Sequence, residues 1–269
     1  MQVSVVIPAH NEAENITSLI QEVCNALRGL FRFEIVVVDD GSTDTMPFVL
    51  QALRRSVAEL RVVRHGNQCG QSAALMTGID AAIAPVIATL DGDGQNDPSD
   101  LPAMLDALLQ PKMADRVQLV AGQRTRRKDS AWRLVSSRIA NFVRGRILRD
   151  QTPDSGCGIK VFYRDVFLKL PRFTHMHRFL PALVVRSGGR VISVSVKHRP
   201  RIHGRSHYDT LRRLINGIID LAGVAWLMHR THLPVLELMD QAHDERTNLD
   251  SLRFTGPAGV QREVRRSVA

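Results

Sequence analysis

Short apolar runs alternate with amphipathic stripes along the first 125 residues. Val3 to Ile7 and Phe33 to Val38 are rich in β-branched residues and end at a proline or at acids, which is typical of buried strands. The apolar positions between these runs have the spacing of one face of an amphipathic helix: Ile16, Leu19, Ile20, Val23 and Leu27. The pattern therefore predicts a strand, a helix and a second strand.

The same alternation continues through three more strands. They are expected at Arg61–Arg64, Val86–Leu90 and Val117–Gly122. Helices are expected over Ser72–Ile83, over Pro98–Leu109 and after an N-cap at Ser42, Thr43 or Asp44. Repeated strand–helix units predict an α/β fold with a mainly parallel, Rossmann-like sheet, because right-handed crossovers place helices on both of its faces.

After residue 125 the pattern changes. A basic stretch with helical character runs from Arg126 to Arg149, and a polar loop follows from Asp150 to Gly158. Two strands and two helices are then expected, at Ile159–Phe162, Arg178–Val185, Val191–Val196 and Thr210–His229. From Gln241 to Ala269 the apolar periodicity is lost and glycine and proline appear, so we expect a poorly ordered tail.

The charge balance points to an anionic partner. The 269 residues include 36 lysines and arginines against 27 acids, a formal net charge of +9, which favours nucleic acid, anionic lipid or a phosphorylated substrate. Only 5% of residues are aromatic and no zinc-finger, RRM or KH pattern occurs, so we expect no nucleic-acid partner. The three cysteines have no paired spacing and no secretory leader is visible, which favours a reducing compartment.

The segment D-G-D-G-Q-N-D-P at 91–98 carries the strongest chemical signal. It follows the predicted strand Val86–Leu90, so Asp91 and Asp93 come at the carboxyl edge of the sheet, where open α/β folds bind ligands. Hard cations such as Mg²⁺ and Mn²⁺ prefer such oxygen ligands and share them with substrate phosphates. An Asx-rich turn without an ion is the alternative, whereas the EF-hand spacing is absent.

Two other predicted strands also end in polar residues. Asn11 and Glu12 follow the first strand, and Asp39 and Asp40 end the second. Each pair has a structural explanation as a helix cap or an Asx turn. Together with Asp91 and Asp93 at one edge, however, so many acids repel each other unless cations or hydrogen-bond donors balance them. A divalent ion and a nucleotide would supply both.

These motifs, at these separations, resemble those of family 2 glycosyltransferases of the GT-A fold: V-V-I-P-A-H-N-E, V-V-V-D-D-G-S-T-D and D-G-D-G-Q-N-D-P. Five further motifs are similar to the dolichol-phosphate mannosyltransferase-like branch, which includes bacterial polyprenyl-phosphate glycosyltransferases. They are A-G-Q-R (121–124), S-S-R-I-A-N (136–141), D-S-G-C-G-I-K-V-F (154–162), M-H-R-F-L-P-A-L (176–183) and H-R-P-R-I-H-G-R-S-H-Y (198–208). The resemblance covers about residues 2–230.

The resemblance implies a set of donor-side residues. The positions that hold the uracil or guanine and its ribose match Pro8, Asn11, Glu12 and Asp39. Asp91 matches the first acid of the D-x-D motif, near the nucleotide and the sugar. Asp93 and Gln95 match ligands of Mg²⁺ or Mn²⁺, whose coordination the donor's diphosphate completes.

The resemblance also implies an acceptor side. The catalytic positions it assigns beside Asp93 are Arg124, Arg138 and Lys160, and the expected acceptor-phosphate residues are Arg178, Arg201, Ser206 and His207. His207 departs from the family, where lysine is usual, so its charge would depend on pH, because free histidine titrates near ~6.5. A lipid monophosphate is already anionic and needs no general base, whereas a hydroxyl acceptor does, and Asp154 is the spare acid considered for that role.

The helix predicted over Thr210–His229 is too interrupted by Arg212, Arg213 and Asp220 to span a membrane. Its arginines near the start and Trp226 near the end suit an interfacial helix on anionic lipid. Packing against the domain, a membrane partner subunit or a second copy of the chain is the alternative. We expect a peripheral location at the cytoplasmic face of the membrane.

The sequence thus predicts an inverting, metal-dependent glycosyltransferase that moves a UDP- or GDP-linked sugar to a polyprenyl phosphate such as undecaprenyl phosphate. The expected divisions are a nucleotide-sugar half (1–125), an acceptor half of the same domain (126–207), the amphipathic helix region (208–240) and the tail (241–269). Two alternatives remain open: the same fold acting on a hydroxyl acceptor, and a non-enzymatic basic module that binds membrane or nucleic acid.

Overall fold

The computed structural model describes residues 1–110, 117–124, 144–150, 152–200 and 210–230. Its strands are β1 (Val3–Ala9), β2 (Phe33–Asp39), β3 (Leu60–Arg64), β4 (Val86–Thr89), β5 (Val117–Arg124), β6 (Lys160–Tyr163) and β7 (Arg190–Val196). Its helices include α1 (Ala13–Leu27), α2 (Met46–Ser56), α3 (Gln71–Ala81), α4 (Leu101–Leu109), α5 (Arg164–Leu168), α6 (Leu180–Arg186) and α7 (Thr210–His229). Residues 144–148 are also helical.

The strands form one sheet in the order β3-β2-β1-β4-β6-β5-β7. The first four strands of the chain are parallel to one another, as the alternating pattern predicted. β6 is inserted between β4 and β5 and runs antiparallel to both, while β7 is parallel to β5. Among the described strands β6 therefore runs against the rest, and the sheet is mainly parallel.

Helices cover both faces of this sheet, so its central strands are buried on both sides. Val5 and Ile7 of β1 pack with apolar residues of α1, α2 and α4 on one face. Val6 belongs to the apolar cluster on the other face, which also contains residues of α3, α5, α6 and α7. Because both faces are buried, β1 and β2 consist of nearly continuous apolar residues and do not alternate between apolar and polar ones.

Most element boundaries agree with the sequence-based expectation, but three helix starts lie later in the chain than expected and the short helix α5 was not predicted. The helix expected from Arg178 begins at Leu180, after a 3₁₀ turn at Met176–Arg178. The N-cap position of α2 is Thr45 rather than one of residues 42–44, although the carboxylate of Asp44 still accepts the N–H of Met46 at 3.0 Å. A 3₁₀ turn at Pro98–Asp100 precedes α4, so the regular helix begins three residues later than predicted. The predicted tail 241–269 and most of the basic stretch 126–149 lie outside the described residues.

The C-terminal helix occupies the residues predicted for it, Thr210–His229. Among the helices described, none combines the length and the apolar character that a membrane-spanning segment requires.

Close packing of α3 on the sheet generates a stability prediction. A Cβ added at Gly78 would overlap the side chain of Val6 and lie 3.0 Å from Val38 Cγ2, whereas one added at Gly217 in α7 meets no atom within 4 Å. Gly78→Ala should therefore lower the free energy of unfolding by about 1–3 kcal/mol through overpacking. Gly217→Ala should leave it unchanged or raise it by up to ~1 kcal/mol, because alanine favours a helix.

Chemical denaturation of both variants beside the wild-type protein checks this pair of outcomes. Equal effects of the two substitutions would contradict the close approach of α3 to β1.

Candidate active site

The loop after β1 is tied to the loop after β2. Asn11 adopts a left-handed conformation with φ of 57°, and its side-chain oxygen accepts the N–H of Thr43 at 2.8 Å. The N–H of Asn11 donates to Ser42 Oγ at 2.9 Å. Glu12 accepts a hydrogen bond from the Asn15 amide at 2.6 Å, and Pro8 lies inside β1, next to the last residue of that strand. These contacts fix the edge of the sheet where the donor residues were predicted.

Asp39 and Asp40 have different partners at the end of β2. Asp39 is 1% exposed, and its Oδ1 accepts the N–H of Ser42 at 2.9 Å. Its Oδ2 lies 3.3 Å from Arg64 Nε without a hydrogen bond, in the wall of a pocket of about 780 Å³ between α2 and β3. The residues that line this pocket do not include Asp91 or Asp93. The predicted contact of Asp39 with the nucleotide stays a prediction.

Asp40 holds the residues that precede α3 by hydrogen bonds, a role that the sequence did not reveal. Its carboxylate accepts the N–H groups of Cys69 at 2.8 Å and Gly70 at 2.7 Å, and it lies 2.7 Å from the ring of His65. Although burial opposes it, these bonds lower the pKa of Asp40. Asp40, His65 and Cys69 place ligand atoms within 4.8 Å of one another, but the hydrogen bonds already account for the arrangement.

Asp91 and Asp93 lie directly beyond β4, as predicted. Gln71, the first residue of α3, donates its amide N–H to Asp91 Oδ1 at 2.7 Å, and Asp93 Oδ1 accepts the N–H of Gln95 at 3.2 Å. Burial and the neighbouring Asp93 carboxylate raise the pKa of Asp91 to about 6, in spite of nearby Lys160. The two carboxylates therefore repel each other at neutral pH.

Glycine lets the protein backbone approach this pair closely. A Cβ at Gly158 would overlap the carboxylate of Asp91, and one at Gly92 would lie 2.8 Å from the Cβ of Ala9. The D-S-G-C-G motif is thus the segment that packs against Asp91. A side chain at either position would displace the loop that carries the acids.

Lys160 and Arg124 bring positive charge to the acids from the neighbouring strands. Lys160 of β6 stands opposite Thr89, the last residue of β4, and is 5% exposed. Its ammonium group donates to the carbonyl oxygen of Cys157, and burial lowers its pKa against the opposing charge of Asp91. Lys160 therefore places a buried positive charge near the carboxylate of Asp91.

Arg124 ends β5 and forms a two-point ion pair with Asp154. The Arg124 Nε to Asp154 Oδ2 distance is 2.7 Å, and the Nη2 to Oδ1 distance is 2.8 Å. Although burial opposes it, Asp154 raises the pKa of Arg124, so the guanidinium stays charged. Asp154 is engaged in holding this cation in place, which makes it a poor candidate for a general base.

Arg178 ends a 3₁₀ turn, Met176–Arg178, and its neighbour His177 was missed by the sequence reasoning. His177 Nδ1 lies 2.7 Å from the hydroxyl of Ser72, the second residue of α3. Burial and the positive charges of Lys160 and Arg178 hold the pKa of His177 well below its usual value, so this ring is neutral. The M-H-R-F motif contained the signal, but only its arginine was assigned a role.

Four predicted site residues lie outside the described residues: Arg138, Arg201, Ser206 and His207. Their assignments stay predictions.

The donor set around Asp93 fits a hard divalent cation. Carboxylate and amide oxygens, supplied by Asp93 and Gln95, are the ligand types that Mg²⁺ and Mn²⁺ prefer. Burial first and the Asp93 carboxylate second raise the pKa of Asp91, although Lys160 and Arg124 oppose the shift. A bound cation would add positive charge beside the two acids.

Comparison with known proteins gives a consistent picture. The family model described as Glycosyl transferase family 2 matches residues 4–170. The chain is 36% identical over 233 residues to a dodecaprenyl-phosphate galacturonate synthase of Rhizobium johnstonii, and the match covers 85% of this chain and 68% of the relative. It is 34% identical over 222 residues to an undecaprenyl-phosphate 4-deoxy-4-formamido-L-arabinose transferase of Pseudomonas paraeruginosa, covering 81% of this chain but 63% of that relative.

Two solved structures are similar in fold. A glucosyl-3-phosphoglycerate synthase from Mycobacterium tuberculosis in complex with UDP has a TM-score of 0.63 at 22% identity, covering 82% of this chain and 80% of that one. Mannosyltransferase PcManGT from Pyrobaculum calidifontis, in complex with GDP-Man and Mn²⁺, has a TM-score of 0.65 at 20% identity. The match covers 87% of this chain and 66% of that one. At these identities the likeness concerns the fold alone, and it confirms the predicted GT-A architecture.

The raised pKa of Asp91 predicts a pH-dependent gain in stability when its charge is removed. Above pH ~6 the folded protein holds Asp91 ionised at a cost, and below the unfolded value near ~4 the acid is protonated in both states. With EDTA present, Asp91→Asn should therefore raise the free energy of unfolding at pH 7.5 by on the order of 1–3 kcal/mol, with the gain vanishing below pH ~4.

Chemical denaturation at pH 7.5 and pH 4 measures this difference, with Asp106→Asn as a control at an exposed acid of α4. A loss of stability at pH 7.5 for Asp91→Asn would contradict the cost of holding Asp91 ionised in the folded protein.

Proposed function

The chain belongs to glycosyl transferase family 2, and on that basis we propose that it is an inverting glycosyltransferase that moves a sugar from a nucleotide sugar to a polyprenyl phosphate, such as undecaprenyl phosphate. The observation that carries the proposal is the pair Asp91 and Asp93 at a sheet edge, with the buried Lys160 and the partly buried Arg124 beside it. Both named relatives are transferases or synthases of polyprenyl-phosphate sugars, which supports this acceptor class.

The donor side follows from the acids at the strand ends. We assign the base and ribose to Pro8, Asn11, Glu12 and Asp39, and the ribose–sugar region to Asp91. Asp93 and Gln95 would hold Mg²⁺ or Mn²⁺. Such an ion, when bound, neutralises the charge that develops on the leaving diphosphate. Gln71 keeps Asp91 in position through its 2.7 Å hydrogen bond, and so orients the carboxylate towards the donor.

The acceptor side uses positive charge rather than a general base. A lipid monophosphate carries negative charge near neutral pH, so its oxygen attacks without losing a proton to the protein. Arg124, which Asp154 holds by two hydrogen bonds, can bind such a phosphate without moving. Arg138, Arg178, Arg201, Ser206 and His207 are the further acceptor residues in this proposal. In this division, residues 1–125 bind the donor, except that Arg124 at their end also contacts the acceptor phosphate, and residues 126–207 bind the acceptor.

The exposed face of α7 fits the surface of a membrane. Val224 is buried against the domain, whereas Ile218, Ile219 and Trp226 are 60%, 63% and 62% exposed. An amphipathic helix with exposed isoleucine and tryptophan inserts these side chains at the boundary of headgroups and acyl chains. We place the protein peripherally at the cytoplasmic face, where this helix would bring the site to its lipid acceptor.

Transfer to a lipid phosphate is the first test of this function. With Mn²⁺ and a radiolabelled UDP- or GDP-sugar, the protein should glycosylate undecaprenyl phosphate but not undecaprenol, which has the same chain ending in a hydroxyl. EDTA should abolish transfer and Mn²⁺ restore it. Asp93→Asn should lower kcat by about a hundredfold or more, because it removes a ligand for the ion that stabilises the leaving group.

Asp106→Asn is the matched control and should keep wild-type kcat. Equal transfer in EDTA would contradict the metal-dependent mechanism. Labelling of undecaprenol or of a saccharide, without labelling of the lipid phosphate, would support the hydroxyl-acceptor alternative instead.

Membrane contact by α7 is tested with lipid vesicles. Ile219→Ser and Trp226→Ser should each weaken binding to vesicles of phosphatidylglycerol and phosphatidylcholine by about tenfold or more, since burying one such side chain is worth roughly 1.5–3 kcal/mol. Ile83→Ser, at a residue 64% exposed outside this helix, should leave binding unchanged. Unchanged binding of all three variants, with loss of a dimer in Trp226→Ser, would assign the face to a protein interface.

A further inference from the structure

A short segment after β7 lies along the loop that follows the two acids. The N–H of Arg199 donates to the carbonyl oxygen of Gln95 at 2.9 Å, and the N–H of Lys197 donates to Asp100 Oδ2 at 2.7 Å. Between them, His198 and Asn96 form an isolated antiparallel bridge. Residues 197–199 are therefore fixed to the loop 95–100 by main-chain groups along their whole length.

The side chain of Arg199 adds a second connection. One terminal nitrogen, Nη2, lies 2.8 Å from Asp97 Oδ1, and the other, Nη1, lies 2.7 Å from Glu22 Oε2 on α1. Asp97 also accepts the N–H of Ser99 at 3.0 Å, which starts the 3₁₀ turn. The side chain of Asp97 is largely buried, so this ion pair is better shielded from solvent than an ordinary surface pair.

The loop 95–100 is itself joined to the acids. Gln95 is one of the two proposed ion ligands, and its N–H is bound by the other, Asp93. The next residue, Asn96, is buried, and its side chain forms a hydrogen bond with Asp91. A shift of this loop would therefore move the acids with it.

Residues 197–199 lead directly into the acceptor motif. Arg201 follows two residues after Arg199 in the sequence, and Ser206 and His207 come shortly after. Arg199 thus stands where the chain passes from the donor-side loop to the residues proposed to hold the acceptor phosphate.

We propose that Arg199 is a positioning residue that, through Asp97 and Glu22, fixes the start of the acceptor segment relative to the donor-side loop. The inference rests on the proposed function, because it assumes that the segment after Arg199 binds the acceptor. Transfer requires the acceptor oxygen and the sugar carbon to be within near-attack distance, and a misplacement of about 1 Å can cost about a hundredfold in rate. Arg199 touches neither substrate in this proposal and acts through the chain that it holds.

Steady-state kinetics of Arg199→Gln and Asp97→Asn tests the proposal, because it separates the two substrates. Each variant should raise KM for undecaprenyl phosphate by about tenfold or lower kcat by a similar factor, while KM for the donor stays within about twofold. The asparagine side chain in Asp97→Asn keeps an oxygen for the N–H of Ser99, so the 3₁₀ turn should survive. The double variant should be no worse than the single ones, because both remove the same ion pair.

Arg28→Gln is the matched control, since Arg28 forms a two-point pair with Glu59 at 3.0 Å on the surface and should leave both KM values unchanged. Arg199→Lys, which keeps one charge but not the two-pronged bridge, should give an intermediate acceptor KM. Thermal unfolding of each preparation is recorded alongside.

Unchanged acceptor kinetics in Arg199→Gln would overturn the proposal. An equal rise in KM for the donor and for the acceptor, together with a lower Tm, would also overturn the proposal. Such a result is expected of an ion pair that only stabilises the fold. If the wild-type protein does not glycosylate lipid phosphate at all, it is the proposed function that fails.

Discussion

The burial of Asp91 beside a second carboxylate, that of Asp93, is the constraint on which the site at the end of β4 depends. Burial first and the Asp93 charge second raise the pKa of Asp91 to about 6, against the opposing charges of Lys160 from β6 and Arg124 from β5. Lys160 reaches the acids because β6 is inserted next to β4, where it stands opposite Thr89. Gly158, just before β6, lets the backbone pack directly on the Asp91 carboxylate. A divalent ion would add further positive charge beside the two acids and would share it with a diphosphate.

The same charges explain how such a site would treat a phosphate acceptor. Arg124 is held by Asp154, so its guanidinium is preorganised and Asp154 is not needed as a base. His177 is kept neutral beside Lys160 and Arg178, which limits the positive charge on the α3 side of the site. A site with fixed cations, in which Asp154 is already engaged by Arg124, suits a nucleophile that is already ionised. This is the physical reason for preferring a lipid phosphate over a hydroxyl.

The sequence predicted the parts of the protein that depend on local pattern. The first four strands, the helices between them and the helix Thr210–His229 follow from apolar spacing, and the acids at the strand ends follow from the strands. The antiparallel insertion of β6 could not be predicted, because strand order depends on long-range pairing that leaves no periodicity. For the same reason Lys160 could be identified only by its motif, and its burial beside Asp91 was not foreseen. The ion pair of Asp97 could not be predicted either, because its partner Arg199 lies far away in the sequence and the pair leaves no local signal.

The central claim is that Asp91 and Asp93 form a site for a divalent ion shared with a nucleotide diphosphate. Calorimetric titration of UDP and GDP, with and without Mn²⁺, measures this most directly. The account predicts that one of them binds at least about tenfold more tightly with Mn²⁺, and that Asp93→Asn removes the difference. Equal affinity with and without Mn²⁺ for both nucleotides, or an unchanged Mn²⁺ effect in Asp93→Asn, would contradict it.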